Sequence, residues 1–217
     1  MGHPAWPLFG LEVRTPRLTL RYVDDELAEE LLTVAVAGIH DAEFMPFAIP
    51  WTDFPSPVLE QQALRFYWHS RAETSPESFR LLCAAIVDGA IVGASDVFAA
   101  GFPILRQFET GSWLGRAHQG HGLGKEMRVA SLTLGFDGLG AEFALTGAWT
   151  DNGPSIGVTR SLGYEETGRR RALRRDQPDE QFTFRMHRSH FDTLRRDDIT
   201  LHGIDDAREF LGISPGS

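Results

Sequence analysis

The hydrophobic and polar positions of the chain change period several times, which predicts a domain that mixes strands and helices. Residues 12–22 alternate apolar and polar side chains from Leu18 onward, as a half-buried strand does. Residues 24–38 begin with acidic side chains and then place apolar residues at helical spacing, and this spacing returns over residues 58–71. This part of the chain therefore predicts a strand followed by two helices.

A β-hairpin is predicted in the middle of the chain. Residues 80–98 hold two runs of strand-forming residues that are joined at Asp88-Gly89. Asp-Gly favours a tight hairpin turn because both central residues of that turn have positive φ. Residues 106–115 then predict a further strand. Antiparallel pairing is the expected arrangement of these runs.

The second half of the chain alternates helices and strands. Helical spacing over residues 124–140 places Met127, Ala130, Leu134 and Leu139 on one face of a helix. Three further segments complete the pattern as a strand, a short helix and a final pair of strands around a charged loop: 142–150, 153–163 and 164–191. The order of elements predicts a mixed, largely antiparallel sheet flanked by helices, in the α/β class.

Residues 40–57 contain four prolines among aromatic side chains. Proline has no main-chain N–H and breaks helices, so this segment predicts an ordered loop with at most a turn of helix. Such a loop either lines a substrate pocket or covers an edge of the core. Both interpretations remain open.

Length and charge limit the classes of function. A chain of 217 residues with 42% hydrophobic content suits one compact domain, which we expect over residues 1–190, with a C-terminal extension over 191–217 that packs on the core or joins two subunits. The net charge of -9 argues against a nucleic-acid partner. No apolar run approaches the roughly 20 residues that cross a bilayer, so we expect a cytoplasmic protein with no membrane partner.

The stretch QGHGLGKEM, residues 119–127, places glycine at alternate positions and then begins a helix. Glycine lets main-chain amides approach a ligand, and amides at a helix N-terminus favour an anion such as phosphate. A Walker loop would need glycine at Gln119 and a hydroxyl residue at Glu126, and a dinucleotide fingerprint would need its third glycine at Lys125. The spacing excludes both of these phosphate-binding motifs.

The same stretch resembles the acyl-CoA loop of the GNAT acetyltransferase superfamily, Q/R-x-x-G-x-G/A. ETGSWL at 109–114 is similar to the strand E-I-G-Y-W-L of the RimJ/RimL-type branch, and NGPSIGVTRSLGY at 152–164 is similar to its N-x-x-S-x-x-V-x-x-x-x-G-F segment. TPRLTLR at 15–21 resembles its first strand, so the likeness spans roughly residues 15–187. The segments GSWLG at 111–115, QGHG at 119–122 and FPI at 102–104 are also similar to actinobacterial members, one of which is regarded as a succinyltransferase.

The resemblance implies a GNAT fold in which the thioester of CoA lies where the fourth and fifth strands splay apart. It implies acetyl-CoA as the acyl donor, with succinyl-CoA as a rival, and an amine acceptor on a protein N-terminus, a lysine or a small molecule. The expected cofactor-binding residues are Ser112, Trp113, Leu114, Gln119, Gly120, His121, Gly122, Leu123, Gly124, Lys125, Asn152 and Ser155. Lys125 and the His121 imidazole are equally well explained as exposed residues that touch no ligand.

An amine must lose its proton before it attacks a thioester, so a general base is useful. The resemblance makes Glu109 the first candidate and Asp96 the second, although each also suits a strand carboxylate with no catalytic role. Ser155 matches the position that protonates the CoA sulfur, and Asn152 matches one that orients the pantetheine; both also suit a helix N-cap. Direct attack in a ternary complex is implied. A noncatalytic module that binds CoA or a protein partner is the alternative.

Other residue patterns are weaker signals. His118 with His121, and His187 with His190, share a metal-like spacing, but no further ligand completes either pair and we expect no metal. Cys83 is predicted to be a buried, inert thiol. The arginines of residues 169–175 suit either an anionic ligand or, more simply, a solvated surface. A homo-oligomer is a further prediction.

Overall fold

Nine strands form one mixed sheet in a computed structural model that describes residues 3–214. The strands are β1 (Glu12–Arg14), β2 (Thr19–Tyr22), β3 (Ser78–Val87), β4 (Ala90–Ala100), β5 (Gln107–Leu114), β6 (Phe143–Trp149), β7 (Glu165–Arg174), β8 (Gln177–His187) and β9 (Thr200–His202). Their order across the sheet is β7-β8-β6-β5-β4-β3-β2-β1-β9. All neighbours pair antiparallel except β5 and β6, which are parallel.

Helices cover both faces of this sheet. They are α1 (Asp25–Val36), α2 (Val58–Ala72), α3 (Phe102–Leu105), α4 (Leu123–Thr133), α5 (Gly153–Ser161), α6 (Arg188–Phe191) and α7 (Ile204–Phe210). A π-helical turn, Leu134–Gly138, continues α4. One apolar cluster joins α1 and α2 to the sheet, and a larger one contains the predicted face of α4. The sheet therefore separates an α1/α2 face from an α4 face.

The prediction of a single strand over residues 12–22 is wrong, because the segment forms the two strands β1 and β2. The Thr15 hydroxyl lies 3.1 Å from the Leu18 amide and 3.0 Å from its carbonyl, which closes a turn between the strands. Pro16 lies within that turn and has no main-chain N–H for a sheet ladder. A short hairpin therefore replaces the predicted continuous strand.

The hairpin of β3 and β4 is confirmed. Asp88 and Gly89 have φ values of 49° and 80°, the positive pair that the turn requires. The predicted helix over residues 124–140 is also confirmed, and all four side chains predicted for its buried face lie in the core. Local pattern therefore fixes both elements.

The parallel pair β5 and β6 separates after a short ladder. Only residues 107–109 of β5 pair with residues 143–145 of β6, whereas each strand keeps its other neighbour to its end. Beyond Glu109 and Leu145 the two strands leave a space, called the cleft below, between Thr110–Leu114 and Thr146–Trp149. The base of the cleft, where the ladder ends, is called the fork.

The C-terminal segment adds to the same sheet. Strand β9 pairs antiparallel with β1, and Phe210 of α7 packs edge-on against Trp6 at a centroid distance of 4.9 Å. Residues 1–2 and 215–217, which fall in the predicted domain and its extension, lie outside the described residues. Within residues 3–214, no helix has the length and apolar character needed to cross a membrane.

Candidate functional site

Two helices begin at the open end of the cleft. β5 leads through residues 115–122 into α4, and β6 leads through residues 150–152 into α5. Parallel strands end at the same edge of a sheet, so both helix N-termini lie beyond the mouth of the cleft. Each N-terminus carries a partial positive charge, but the first amides of α5 are paired within the chain, whereas those of α4 are not. This edge of the sheet favours an anion.

The segment Gln119–Lys125, called the phosphate loop below, leaves the amides of residues 120–125 unpaired. Gly120 and Gly122 have φ values of 79° and 78°, a left-handed conformation that glycine adopts without strain. Between residues 3 and 214, no carbonyl or side chain accepts a hydrogen bond from the amides of residues 120–125. The loop therefore presents a row of free donors at the start of α4.

Three side chains fix the shape of this loop. Gln119 Nε2 donates to the carbonyls of Ile39 at 2.7 Å and Leu114 at 2.8 Å. Arg17 Nη1 donates to the His121 carbonyl at 3.0 Å, and Arg17 Nε forms an ion pair with Glu126 at 2.5 Å. Sequence reasoning missed Arg17 and Glu126 because they are far apart in the chain. The amides are thus held in place before any ligand arrives.

Glu126 is the buried partner in that arrangement. It accepts a hydrogen bond from the Thr15 hydroxyl at 2.6 Å and another from the Arg17 amide at 3.2 Å. Burial alone would raise the pKa of Glu126, but the hydrogen bonds from Thr15 and Arg17 and the guanidinium charge lower it overall. An ionised carboxylate therefore ties the β1–β2 turn to the first turn of α4.

The edge of β5 offers main-chain groups to the cleft. The Gly111 amide donates to Asp96 Oδ1 at 2.8 Å, and its carbonyl accepts from the Ser95 hydroxyl at 3.1 Å, so both groups of Gly111 face β4. Main-chain groups point alternately to the two sides of a strand. Those of Thr110 and Ser112 consequently face the cleft. The Thr110 carbonyl already accepts from the Thr146 hydroxyl at 3.5 Å, so the groups of Ser112 are the ones open to an extended ligand.

The two candidate bases have different surroundings. Asp96 is buried, forms an ion pair with Arg80 and accepts from the Gly111 amide. Glu109 is exposed, is the last β5 residue paired with β6, and has no hydrogen-bond or ion-pair partner between residues 3 and 214. Its position at the fork leaves Glu109 free to take a proton, whereas Asp96 is committed to structure.

Glu109 lines a cavity of about 500 Å³ on the α1/α2 face. Residues of α2, β3, β4 and β5 form its walls: Phe66, His69, Ser70, Glu73, Ser78, Phe79, Arg80, Phe98, Ala99, Ala100, Leu105, Gln107 and Phe108. The Arg80 guanidinium lies over the Phe98 ring, 3.8 Å from its centroid, and is neutralised by Asp96. Glu109 and Glu73 both line this cavity with no ion-pair partner in the described chain, and this negative charge suits a cationic amine.

The aromatic loop 40–57 bridges the two strands that border the cleft. Trp51 packs on Trp113 of β5 at a centroid distance of 6.0 Å, and the Phe47 carbonyl accepts from Trp149 Nε1 of β6 at 3.2 Å. A 3₁₀ turn forms at Trp51–Asp53, as predicted. The loop therefore covers the α1/α2 side of the cleft.

Asn152 and Ser155 begin α5. The Asn152 side chain accepts from the Ser155 amide at 3.2 Å and is the N-cap of the helix. The Ser155 hydroxyl is half-buried and has no hydrogen-bond partner within the described chain. The capping interpretation is confirmed for Asn152, and the Ser155 hydroxyl is available to a ligand.

The remaining loop and strand candidates lie beside the cleft. Lys125 and His121 have exposed side chains that contact no charged or hydrogen-bonding partner in residues 3–214. Along β5, Ser112 is exposed, Trp113 is half-buried and Leu114 is buried. These residues surround the open end of the site, as the sequence places them.

The other sequence signals are explained by structure. His187 bonds to the Ser189 hydroxyl at 2.8 Å and His190 to the Leu162 carbonyl at 3.1 Å. Across residues 3–214, no three His, Cys, Asp or Glu side chains are grouped to hold a metal ion. Burial, with a smaller contribution from Asp96, raises the pKa of the Cys83 thiol to about 12.

The basic run is mostly paired with acidic residues of the same chain. Arg169 pairs with Glu180, and Arg175 with Asp53. Arg174 pairs with residues 151 and 179 and donates to the Met45 carbonyl at 2.8 Å. The interpretation as a balanced surface is confirmed for these three arginines.

The chain matches the family model described as acetyltransferase (GNAT) domain over residues 17–165. Similar solved structures include Mycobacterium smegmatis RimJ in complex with CoA-disulfide, which is 18% identical, with a TM-score of 0.69 over 88% of this chain and 96% of that one. A ribosomal-protein-serine acetyltransferase from Vibrio cholerae is 20% identical, with a TM-score of 0.61 over 81% and 97%. At such identities the likeness shows the fold alone.

Proposed function

Because the chain belongs to the GNAT acetyltransferase family and is an N-acyltransferase, we propose that it moves an acetyl group from CoA to a primary amine by direct attack in a ternary complex. The observation that carries the mechanism is Glu109, an unpaired carboxylate at the fork, between the cleft and the cavity. The neighbouring Asp96 is already engaged by Arg80. These contacts support Glu109 rather than Asp96 as the proposed general base, between the proposed donor and acceptor sides.

We assign the cleft to the acyl donor. The free amides of the phosphate loop suit the pyrophosphate of CoA, and Lys125 adds a point charge beside it. The cleft-facing groups of Ser112 suit the pantetheine arm, which then ends at the fork beside Thr110. Acetyl-CoA is the proposed donor, and succinyl-CoA is the alternative that the sequence likeness suggests.

We assign the cavity beside Glu109 to the acceptor. Glu109, directly or through water, takes a proton from the ammonium, and the amine nitrogen then attacks the thioester carbonyl carbon. The new amide bond forms as the carbon–sulfur bond breaks and CoA leaves as a thiolate. The Ser155 hydroxyl, at the N-terminus of α5, is the proposed proton donor to that sulfur, and it regains a proton when the attacking nitrogen loses its second one as the amide forms. Asn152 holds the turn.

The finer assignments are supported by sequence motifs and by the names of similar proteins. The strand, loop and helix motifs favour the RimJ/RimL-type branch, and the ribosomal-protein acetyltransferase among the similar structures favours a protein N-terminus or lysine over a small amine. A cytoplasmic location and a homo-oligomer remain predictions. A noncatalytic CoA-binding module is the competing proposal.

Thiol release from acetyl-CoA, measured with a panel of amines and N-terminal peptides, tests this function. Glu109→Gln should lower kcat by about 10²- to 10⁴-fold, the usual contribution of a general base. Glu30→Gln, at an exposed α1 position that has no ion pair in the described chain, is the matched control and should leave kcat unchanged. CoA binding with no acceptor-dependent release would favour the noncatalytic module.

A further inference from the structure

A group of polar side chains lies buried beneath the fork, on the α4 face. Arg128 of α4 and Thr146 of β6 are 5% and 6% exposed, and Arg128 Nη1 donates to the Thr146 hydroxyl at 3.2 Å. Thr110 of β5 and Tyr164, which precedes β7, are each 6% exposed, and both hydroxyls lie beside each other near Arg128. These four residues are called the fork cluster.

The fork cluster has more donors than acceptors. Arg128 Nε, the Thr110 hydroxyl and the Tyr164 hydroxyl are all buried and make no hydrogen bond of good geometry within residues 3–214. Burial raises the pKa of Tyr164, and the nearby Arg128 and Thr110 only partly oppose that rise. Arg128 has no carboxylate within ion-pair distance in the described chain. A guanidinium can only donate, and isolating one from water and from any anion costs several kcal/mol. An anion that accepts several hydrogen bonds would satisfy these donors together.

The position of the fork cluster indicates which part of a bound acyl donor would supply this anion. Thr110 and Thr146 are the first residues of β5 and β6 beyond the last paired positions. A donor whose pyrophosphate rests on the phosphate loop and whose pantetheine follows β5 would bring its acyl group to this point. The anion therefore suits the far end of the acyl chain.

We propose, building on the acyl transfer proposed above, that the fork cluster binds a carboxylate at the end of the acyl group. The preferred donor is then the CoA monothioester of a dicarboxylic acid, of which succinyl-CoA is one, rather than acetyl-CoA. A carboxylate offers about four lone-pair sites and matches the guanidinium fork. An acetyl methyl group offers neither charge nor lone pairs. Arg128 sets acyl selectivity, and the thioester chemistry at Glu109 and Ser155 is unchanged.

Binding of four ligands without any acceptor tests this assignment: CoA, acetyl-CoA, butyryl-CoA and succinyl-CoA, titrated by calorimetry. Butyryl and succinyl chains have the same length and differ in the terminal carboxylate. Wild type should bind succinyl-CoA on the order of 100-fold more tightly than butyryl-CoA, as expected for a buried charge pair. In Arg128→Met this ratio should fall to about 1.

Tyr164→Phe provides a second variant that does not disturb packing, because its hydroxyl has no partner in the protein. It should lower the succinyl-to-butyryl ratio by about tenfold through the loss of one hydrogen bond to a charged group. Equal affinities for succinyl-CoA and butyryl-CoA in wild type, with normal CoA binding, would overturn this inference and leave the acyltransfer proposal standing. Failure of wild type to bind CoA at all would overturn both.

Discussion

The phosphate loop and the fork cluster both hold unpaired hydrogen-bond donors beside one cleft, but they are built differently. The loop uses main-chain amides of one continuous segment at an open edge of the sheet. The cluster uses buried side chains from β5, α4, β6 and the residue before β7. Water can satisfy the amides of the loop at little cost, whereas the buried donors of the cluster have no such substitute.

This difference teaches what each region can specify. A row of amides binds any phosphate-bearing coenzyme and carries no information about the acyl group. A buried guanidinium discriminates strongly, since a ligand without an anion leaves it unpaired. General affinity is therefore expected from the loop, and selectivity from the cluster.

The largest expected effect comes from the residue that shapes the loop. Gln119→Glu replaces a donor that bonds two carbonyls with a carboxylate that repels them and the incoming pyrophosphate. CoA affinity should fall by roughly 30- to 100-fold in a calorimetric titration. Gln119→Ala, which loses the bonds without adding charge, should cost only about tenfold.

The ratio of the affinities for succinyl-CoA and butyryl-CoA in Gln119→Glu tests whether the phosphate loop and the fork cluster act independently. If this ratio changes as much as the affinity for CoA, the two regions do not act independently. The comparison predicts that the ratio stays constant while all ligands weaken together. That outcome would sharpen the division of roles.

The next effect is on the free energy of unfolding, through the hydrogen bond between Arg128 and Thr146 in the fork cluster. Thr146→Val removes the hydroxyl that accepts from Arg128 and should lower the free energy of unfolding by about 2 kcal/mol. In an Arg128→Met background the same change should be nearly neutral, because no buried charge then needs the hydroxyl. Urea unfolding of the four proteins of this double-mutant cycle measures the coupling, and additive effects would show that the two residues are independent.

Alanine substitution at a glycine of the phosphate loop should have a smaller effect, and alanine at a glycine with the same φ elsewhere is its control. Gly120 and Gly89 have φ values of 79° and 80°, and neither would bring a Cβ within 4 Å of another group. Alanine at either position should lower the free energy of unfolding by about 1 kcal/mol through backbone strain. Only Gly120→Ala should also weaken CoA binding, by about fivefold.

A loss of CoA affinity in Gly89→Ala would indicate that stability, not loop geometry, controls binding. Gly89 is in the β3–β4 turn, outside both the phosphate loop and the two strands that border the cleft. Unchanged CoA affinity in both variants would argue against the loop as the phosphate site.

The smallest effect is the pH dependence of stability from the ion pair between Arg17 and Glu126, beneath the phosphate loop. The folded protein lowers the pKa of Glu126, so this carboxylate contributes stability above its unfolded pKa and loses that contribution as pH falls through the lower folded value. Glu126→Gln should cost about 0.5–1 kcal/mol at pH 7, because Arg17 is half-exposed and screened. The difference from wild type should shrink below about pH 4, and a difference that grows on acidification would contradict the assignment.

The sequence predicted the elements and the loop well because both are local. The alternate glycines of residues 120–124 and the Asp88-Gly89 turn each express a backbone requirement within a few residues. The division of residues 12–22 into two strands was missed, since one side-chain hydroxyl at Thr15 decides it. Local patterns carry little information about such a turn.

The side-chain parts of the site could not be predicted in the same way. Arg128 fits the helical pattern of residues 124–140 as an ordinary polar position, and only the packing of α4 against the fork buries it without an anion. The preference for Glu109 over Asp96 likewise depends on Arg80, whose side chain reaches Asp96 from the neighbouring strand β3. Cross-strand partners of this kind are not visible in spacing.

The central claim is that the amides of the phosphate loop hold the pyrophosphate of CoA. Amide chemical shifts of ¹⁵N-labelled protein, recorded during titration with CoA and with pantetheine, test it most directly. The amides of Gly120, Gly122 and Gly124 should shift strongly with CoA and stay in place with pantetheine, which has no pyrophosphate. Saturation with CoA that leaves these three amides unmoved would contradict the claim.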